Sequence, residues 1–343
     1  MAITDMEMVL INRLENNSLN APPGGGDSSN KIITGNILTL GHQGWRRNSD
    51  DTNGSDNWKR DNLRKFEDWL YITFPSKKDE IRQFLTREKN ARVNGRWQFD
   101  NGIYADDMLK IAGAERVDSL DYSDFEGATI IHNLCDPVPE DLKNKFDLVW
   151  DAGTLEHVYD FPVAIRSLME MTKIGGHCFI WQIGNNALGH GFYQFSPELF
   201  FSLFRECNGF TGTRIFTEYK NRLYEFKNPR EVRRRCEFQC FSRETKDWVL
   251  LRVITQKIAK VPQTLNVLQS DYEMAWNNGE TAENLSAAKN PKTSALKDKL
   301  KQVYHKMPSA LRHLVWRVLY TRNVLYTRRK EMENLMIDHG KLL

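Results

Sequence analysis

Hydrophobic residues near the start of the chain recur with the period of a helix. Residues 5–15 place their apolar side chains on one face, which predicts a short helix. Residues 16–30 are rich in Asn, Ser, Pro and Gly, a composition typical of a linker. The apolar run over residues 31–40 then predicts a strand that ends at Gly41. We therefore interpret residues 1–30 as an N-terminal helix and flexible linker in front of a larger domain.

A longer insertion follows that strand. Its hydrophobic spacing predicts helices over residues 58–73 and 77–88, separated from the strand by a polar, turn-rich stretch. We interpret residues 45–103 as a helical insertion that could form a lid.

From Tyr104 onward, short apolar runs alternate with amphipathic stretches. Helices are predicted over 105–112, 162–172 and 197–207, and strands over 117–120, 129–132, 146–150, 177–183, 213–219 and 248–256. Such alternation favours an α/β domain with a parallel sheet, here over residues 31–257. The last two strands have no helix between them, so we expect them to pair antiparallel.

Polar residues concentrate where the predicted strands end. Gly41, Asp121, Asn133 and Asp151 each stand at or directly after the carboxyl end of a strand. Open α/β sheets bind their ligands at that edge. The sequence therefore predicts a site there.

Composition excludes several classes of protein. Among 343 residues, 40% are hydrophobic and 27% charged, with a net charge of +3, so global disorder and a generally basic, nucleic-acid-binding surface are excluded. No apolar run approaches the roughly 20 residues that span a bilayer. The five cysteines form no CxxC pair, which favours a reducing compartment and predicts a cytoplasmic protein.

The excess positive charge lies in the C-terminal part of the chain. After a predicted polar linker, residues 258–295, residues 296–343 form a predicted basic helical tail. Between Lys292 and Lys330 there are eleven Lys and Arg residues against one acid, Asp298. A basic amphipathic helix can contact an anionic membrane surface, pack on a protein partner or dock on its own domain. Of these we predict peripheral membrane contact through residues 296–330, and no nucleic acid.

Three segments resemble class I S-adenosylmethionine-dependent methyltransferases. They are FDLVWDAGTLEHV at 146–158, KIGGH at 173–177 and NNALGHGFYQFSPELF at 185–200, the last similar to bacterial methyltransferase-like proteins associated with surface-polysaccharide biosynthesis. The resemblance implies a Rossmann-like sheet, mostly parallel with an antiparallel last strand. It also implies S-adenosylmethionine as cofactor and a hydroxyl of a sugar or glycan precursor as methyl acceptor.

The resemblance assigns cofactor-binding roles to residues at the strand ends. Asp121 would accept the ribose hydroxyls, Asn133 the adenine amino group, and Leu134 would face the adenine ring. Asp151 would face the methionine amine or the methyl group. Asp121 and Asn133 are also ordinary turn residues, so that structural interpretation stays open.

The glycine loop departs from the family pattern. Of its glycines only Gly41 matches, and Thr39 holds the position of the family's acid. Glycines matter in this loop because the backbone must approach the cofactor closely.

Three residues are candidates for the chemistry of methyl transfer. His157 would act as general base towards an acceptor hydroxyl, and His190 or Tyr193 would act on the substrate side. Each could instead be an ordinary packing or turn residue. Glu156 is expected to be solvated rather than to orient His157. Asp151 with Asn185 or Asn186 lacks the second acid of a magnesium site, so no metal is predicted.

The sequence leaves a second class of function open. The single matching glycine favours a non-catalytic methyltransferase-like module that binds a protein partner or membrane through its basic tail. Asp121, Asp151 and His157 favour the enzyme.

Overall fold

A computed structural model describes residues 2–16, 31–46, 56–93, 103–219, 222–232, 248–277 and 336–340. None of the helices in these ranges is both long and apolar enough to cross a bilayer. The predicted basic tail over 296–330 and nearly all of the predicted linker over 16–30 lie outside the described residues.

The described residues form an α/β structure around one large sheet. Nine strands pair in the order β11-β9-β8-β10-β7-β6-β2-β4-β5, and the short strands β1 and β3 form a separate parallel pair. In chain order the strands are β1 Ala2–Thr4, β2 Gly35–Leu40, β3 Gly44–Arg46, β4 Ala114–Asp121, β5 Ile130–Ile131, β6 Phe146–Ala152, β7 Thr172–Asn185, β8 Phe210–Tyr219, β9 Arg222–Phe226, β10 Val249–Lys257 and β11 Met336–Gly340.

The sheet is mixed, which corrects the expectation of a mostly parallel one. The neighbours among β5, β4, β2, β6 and β7 pair parallel, while β10 pairs antiparallel with both β7 and β8. The predicted antiparallel pairing of the strands at 213–219 and 248–256 is thereby confirmed. Strands β9 and β11, which the sequence did not predict, extend the antiparallel half.

The six helices predicted over residues 5–207 are present, with shifted ends. They are α1 Asp5–Glu15, α2 Asp56–Thr73, α3 Lys78–Val93, α4 Asp106–Ala112, α5 Phe161–Met171 and α6 Pro197–Leu203. The sequence did not predict two further helices, α7 Pro229–Val232 and α8 Ser270–Asn277. Helix α6 starts where Ser196 caps it, but it ends at Leu203 rather than at residue 207. Helix α1 begins with a capping box in which Thr4 and Glu7 bond each other's backbone.

Apolar side chains are buried on both faces of the sheet. One cluster joins α5 and α6 to the sheet through residues such as Leu168 and Phe200. The other joins α1, α4 and the helices of the insertion, whose Phe66, Trp69 and Phe84 are buried. The described part of the insertion is therefore packed into the core of the domain.

A buried ion pair connects α1 to β10 in the antiparallel half of the sheet. Glu7 in α1 and Arg252 in β10 are almost completely buried, and Arg252 Nε donates to Glu7 Oε1 at 2.6 Å. A buried charge is costly unless it is paired and hydrogen-bonded, as here. Helix α1 is thus part of the folded domain.

The chain stays attached to the domain beyond Lys257. Arg166 donates to the carbonyl oxygens of Pro262 and Gln263, and Glu273 in α8 pairs with Arg205 and Arg230. The first part of the predicted polar linker, up to residue 277, is therefore bonded to the sheet domain.

Candidate functional site

The carboxyl ends of the parallel strands meet at one edge of the sheet. The chain proceeds from β2 outward through β4 and β5, then crosses to β6 on the other side of β2. The crevice between β2 and β6 is therefore a topological switch point, the place where open α/β sheets bind ligands. Thr154, just after β6, spans it by donating to the carbonyl of Leu40 at 2.7 Å.

Asp151 organises the turn that leaves β6. Its Oδ1 accepts the backbone N–H groups of Thr154 at 2.9 Å and Leu155 at 3.3 Å. These bonds fold the next residues into a 3₁₀ turn, Leu155–His157. The side chain of Asp151 is fully buried, so the structure places it beneath the edge of the sheet.

Gln182 joins Asp151 to a second buried carboxylate. Its Nε2 donates to Asp151 Oδ2 at 2.6 Å and to Glu156 Oε2 at 2.8 Å. Burial, together with the neighbouring charge of Glu156, raises the pKa of Asp151 to about 7. Burial likewise raises the pKa of Glu156 above its usual range.

Glu156 lies at the centre of a cluster with two histidines. Its side chain is 0% exposed, so the expectation of a solvated carboxylate was wrong. Its Oε1 is 3.8 Å from Nε2 of His157 and 3.8 Å from Nε2 of His190. The two imidazoles lie edge to face with their centres 4.9 Å apart. The structure thus brings together the two histidines that the sequence proposed separately.

The histidines differ in exposure. The His157 side chain is 48% exposed, whereas His190 is partly covered and packs against the ring of Trp248. Burial lowers the pKa of both imidazoles, and for His190 the nearby His157 adds to the effect. Both therefore stay neutral near pH 7, the form that can accept a proton or a metal ion.

The loop after β7 closes over Glu156. The backbone N–H groups of Phe192 and Tyr193 both point to the carbonyl oxygen of Glu156, the first at 2.7 Å. Gly191 has φ of +65°, and a Cβ there would lie 2.9 Å from Cγ of Glu156. A larger residue would therefore displace the carboxylate. The Tyr193 hydroxyl donates to the carbonyl of Tyr159 at 2.6 Å, which fixes the loop.

Gly41 lies across the crevice from Thr154. Its φ is +75°, and a Cβ there would lie 3.0 Å from Nε2 of Gln43, 3.1 Å from Oγ1 of Thr154 and 3.9 Å from Oδ2 of Asp121. Thr39, at the position of the family's acid, donates its hydroxyl to the Gly41 carbonyl at 2.9 Å. Gln43 is buried and donates to the Leu40 carbonyl. A glutamine side chain therefore packs beside the only glycine that matches the family pattern.

The remaining two predicted residues are engaged in local structure. Asn133 closes a turn, because its Oδ1 accepts the N–H of Cys135 at 3.1 Å and its Nδ2 donates to Asp136 at 3.1 Å. Leu134 is buried in the cluster under α5.

Sequence reasoning missed three residues of this edge: Thr154, Gln182 and Gln43. Thr154 follows β6 directly, so its place at a strand end was a usable signal. Gln182 is the single polar residue in the apolar run over residues 178–184, which is a recognisable sign of a buried partner. Gln43 stands where the family has glycine, and only the structure shows that its side chain turns inward.

No protein-family model matches this chain. A search of curated proteins likewise found no match. The geometry of the site therefore carries the functional argument.

Proposed function

We propose that the chain is an S-adenosylmethionine-dependent methyltransferase that methylates a hydroxyl of a sugar or glycan precursor. The observation that carries the proposal is the set of polar residues at the carboxyl ends of the parallel strands. Gly41 and Asp121 lie together on one side of the switch point, and the Glu156 histidine cluster follows β6 on the other. A candidate cofactor-binding half and a candidate proton-accepting half would thus lie along one edge of the sheet.

The residues at Gly41 fit a cofactor with a ribose. Asp121 Oδ1 accepts the N–H of Tyr122 at 2.6 Å, and its Oδ2 has no hydrogen bond to the other described residues. A carboxylate oxygen left open at the end of the second parallel strand can accept ribose hydroxyls. The antiparallel strand β10 beside the parallel strands also agrees with the sheet that the resemblance implies.

Methyl transfer needs alignment and a proton acceptor. The cofactor supplies an activated methyl group. The chain would orient the acceptor hydroxyl so that its oxygen attacks the methyl carbon as the carbon–sulfur bond breaks. Its proton would pass to a neutral imidazole, and His157 is the more exposed of the two. Buried Glu156 would stabilise the resulting positive charge.

One observation favours the alternative, a non-catalytic module that binds a partner. The side chain of Gln43 lies beside Gly41, and the methyltransferase pattern has a glycine where this chain has Gln43. Binding of the cofactor product separates the two functions before any acceptor is known.

The test is calorimetry with S-adenosylhomocysteine. We expect a micromolar dissociation constant, or about −8 kcal/mol. Asp121→Ala should weaken binding by about 1–3 kcal/mol, because hydrogen bonds to a charged acceptor are lost. The control is Asp124→Ala, since Asp124 is exposed on the same loop. If the native chain did not bind S-adenosylhomocysteine, the methyltransferase proposal would be refuted and the non-catalytic, partner-binding module would remain.

A further inference from the structure

The strongest unassigned feature of the molecule is the triad Glu156, His157 and His190. The candidate ligand atoms of the three side chains lie within 4.8 Å of one another. Both histidines are 3.8 Å from Glu156 Oε1, beyond the roughly 3.2 Å limit of a hydrogen bond. The three groups therefore face one another without bonding.

Two atoms of the triad are buried and unsatisfied. Glu156 Oε1 and His190 Nε2 are inaccessible and have no hydrogen-bond partner among the described residues. Native proteins pair nearly all buried polar atoms, so two unpaired atoms aimed at one point indicate a missing ligand. A water molecule could donate to both atoms, whereas a metal cation would accept an electron pair from each. Three carboxylate and imidazole donors within 4.8 Å of one another favour the cation.

We propose that Glu156, His157 and His190 bind a divalent transition-metal ion, with Zn²⁺ as the natural probe. Two imidazoles and one carboxylate form a typical donor set for a catalytic zinc site. Ligand atoms about 2.0–2.1 Å from a tetrahedral ion lie about 3.4 Å apart. The two 3.8 Å separations need to shorten by about 0.4 Å, and any pair near the 4.8 Å limit by about 1.4 Å. The half-exposed His157 is the side chain with room to move.

The surroundings of Glu156 hold the donor oxygen in place. Gln182 donates to Oε2, which leaves Oε1 directed at the histidines. Hydrogen bonds of this kind to the non-ligating atom orient metal ligands in proteins. Glu156 and Asp151 also bring two carboxylates together, while the only basic side chains within 4 Å of Glu156 in the described residues are the two histidines, which are neutral near pH 7. A divalent ion would balance this charge.

The site has an open side. His157 faces solvent, so a fourth position remains for water or for the acceptor hydroxyl. A bound ion would lower the pKa of a coordinated hydroxyl, so that its proton could pass to solvent water rather than to a free imidazole. The metal site itself does not depend on cofactor binding.

The test uses the full-length chain, freed of metal with a chelator and titrated with Zn²⁺ against a chromophoric competitor. We expect one equivalent to bind, and His157→Ala and Glu156→Gln to weaken binding at least 10-fold. His132→Ala is the matched control, since His132 lies on a turn away from the triad and should leave affinity unchanged. Co²⁺ should give the absorption spectrum of a four- or five-coordinate site, and Glu156→Gln should remove it.

Two results would overturn the metal site. One is the absence of saturable, stoichiometric binding. The other is unchanged affinity in both His157→Ala and Glu156→Gln. Circular dichroism identifies a variant that does not fold, and the exposed position of His157 makes its variant the safer of the two. Calorimetry with S-adenosylhomocysteine on the same metal-free sample distinguishes failure of the metal site from failure of the methyltransferase proposal.

Discussion

Asp151 and Glu156 are bridged by one atom, because Nε2 of Gln182 donates to an oxygen of each, at 2.6 and 2.8 Å. Asp151 lies near the end of β6 and Glu156 lies in the 3₁₀ turn that follows it, whereas Gln182 belongs to the neighbouring strand β7. The bridge therefore couples the candidate site to the packing of the sheet.

Replacing this bridge should cost stability. Gln182→Leu would leave an oxygen of each buried carboxylate without its donor, and we expect a loss of about 2–4 kcal/mol in the free energy of unfolding. Gln256→Leu is the matched control, because Gln256 donates only to the Gly175 carbonyl at an exposed position. Urea denaturation measures both. An equal loss of unfolding free energy in the two variants would show that the buried hydrogen bonds of Gln182 contribute no more to stability than the exposed bond of Gln256.

Acid should weaken the fold through His177. Burial lowers the pKa of this imidazole in the folded chain to about 4, against about 6.5 for a solvent-exposed histidine. As the pH falls from about 6.5 to about 4, the unfolded chain gains a proton that the folded chain does not, so stability falls over that window. One pKa unit corresponds to about 1.4 kcal/mol, so the difference between about 4 and 6.5 gives a loss of about 3–4 kcal/mol.

The variant His177→Gln should remove this part of the pH dependence. Urea midpoints measured between pH 7 and pH 4.5 would follow a flatter curve for the variant than for the native chain. His132→Gln serves as the control for a histidine on a surface turn. A variant curve parallel to the native one would contradict the assignment.

Turnover should depend on His157. If the proposed function holds, His157→Ala should reduce turnover about 10²–10⁴-fold and leave affinity for S-adenosylhomocysteine nearly intact. The same loss is expected whether the imidazole accepts the proton itself or binds an ion that lowers the pKa of the acceptor hydroxyl, and the metal titration separates these cases. Full activity in a folded His157→Ala protein would exclude both.

Gly191 offers a test of the geometry around Glu156. A methyl group at this position would lie 2.9 Å from both Cγ and the carbonyl oxygen of Glu156. Gly191→Ala should therefore displace the carboxylate and weaken Zn²⁺ binding about 10-fold or more. Gly189→Ala is the control, because Gly189 also has a positive φ but no atom lies within 4 Å of its added Cβ. Similar metal affinity in the two variants would count against the position of Glu156.

The regular elements of the domain were predictable from local pattern. Apolar runs such as residues 146–150 and amphipathic stretches such as 162–172 carry their own period, and both became the expected elements, β6 and α5. Strands β9 and β11 were missed. Strand β11 is separated in sequence from its partner by more than a hundred residues, so its pairing depends on tertiary contact rather than on a local signal.

The site was predictable only in outline. Strand ends correctly pointed to Asp121, Asp151 and His157 as residues of one sheet edge. The burial of Glu156 was not predictable, because it depends on Gln182 from another strand and on the loop at Gly191. A Glu next to a His after a strand is normally expected to be solvated. The side chain of Glu156 is buried only because the assembled sheet brings Gln182 and the loop at Gly191 against it.

The ion pair between Glu7 and Arg252 has a consequence for how the chain folds. These residues are separated by 245 positions, so during synthesis α1 leaves the ribosome long before its partner strand exists. Contacts of such long sequence separation are slow to form, because a large loop must close first. The carboxylate of Glu7, which is buried in the folded chain, would lack its cationic partner until β10 has been made. The beginning of the chain is therefore among the last parts of the domain to reach its native environment, and the nascent chain is the state in which chaperone binding would matter most.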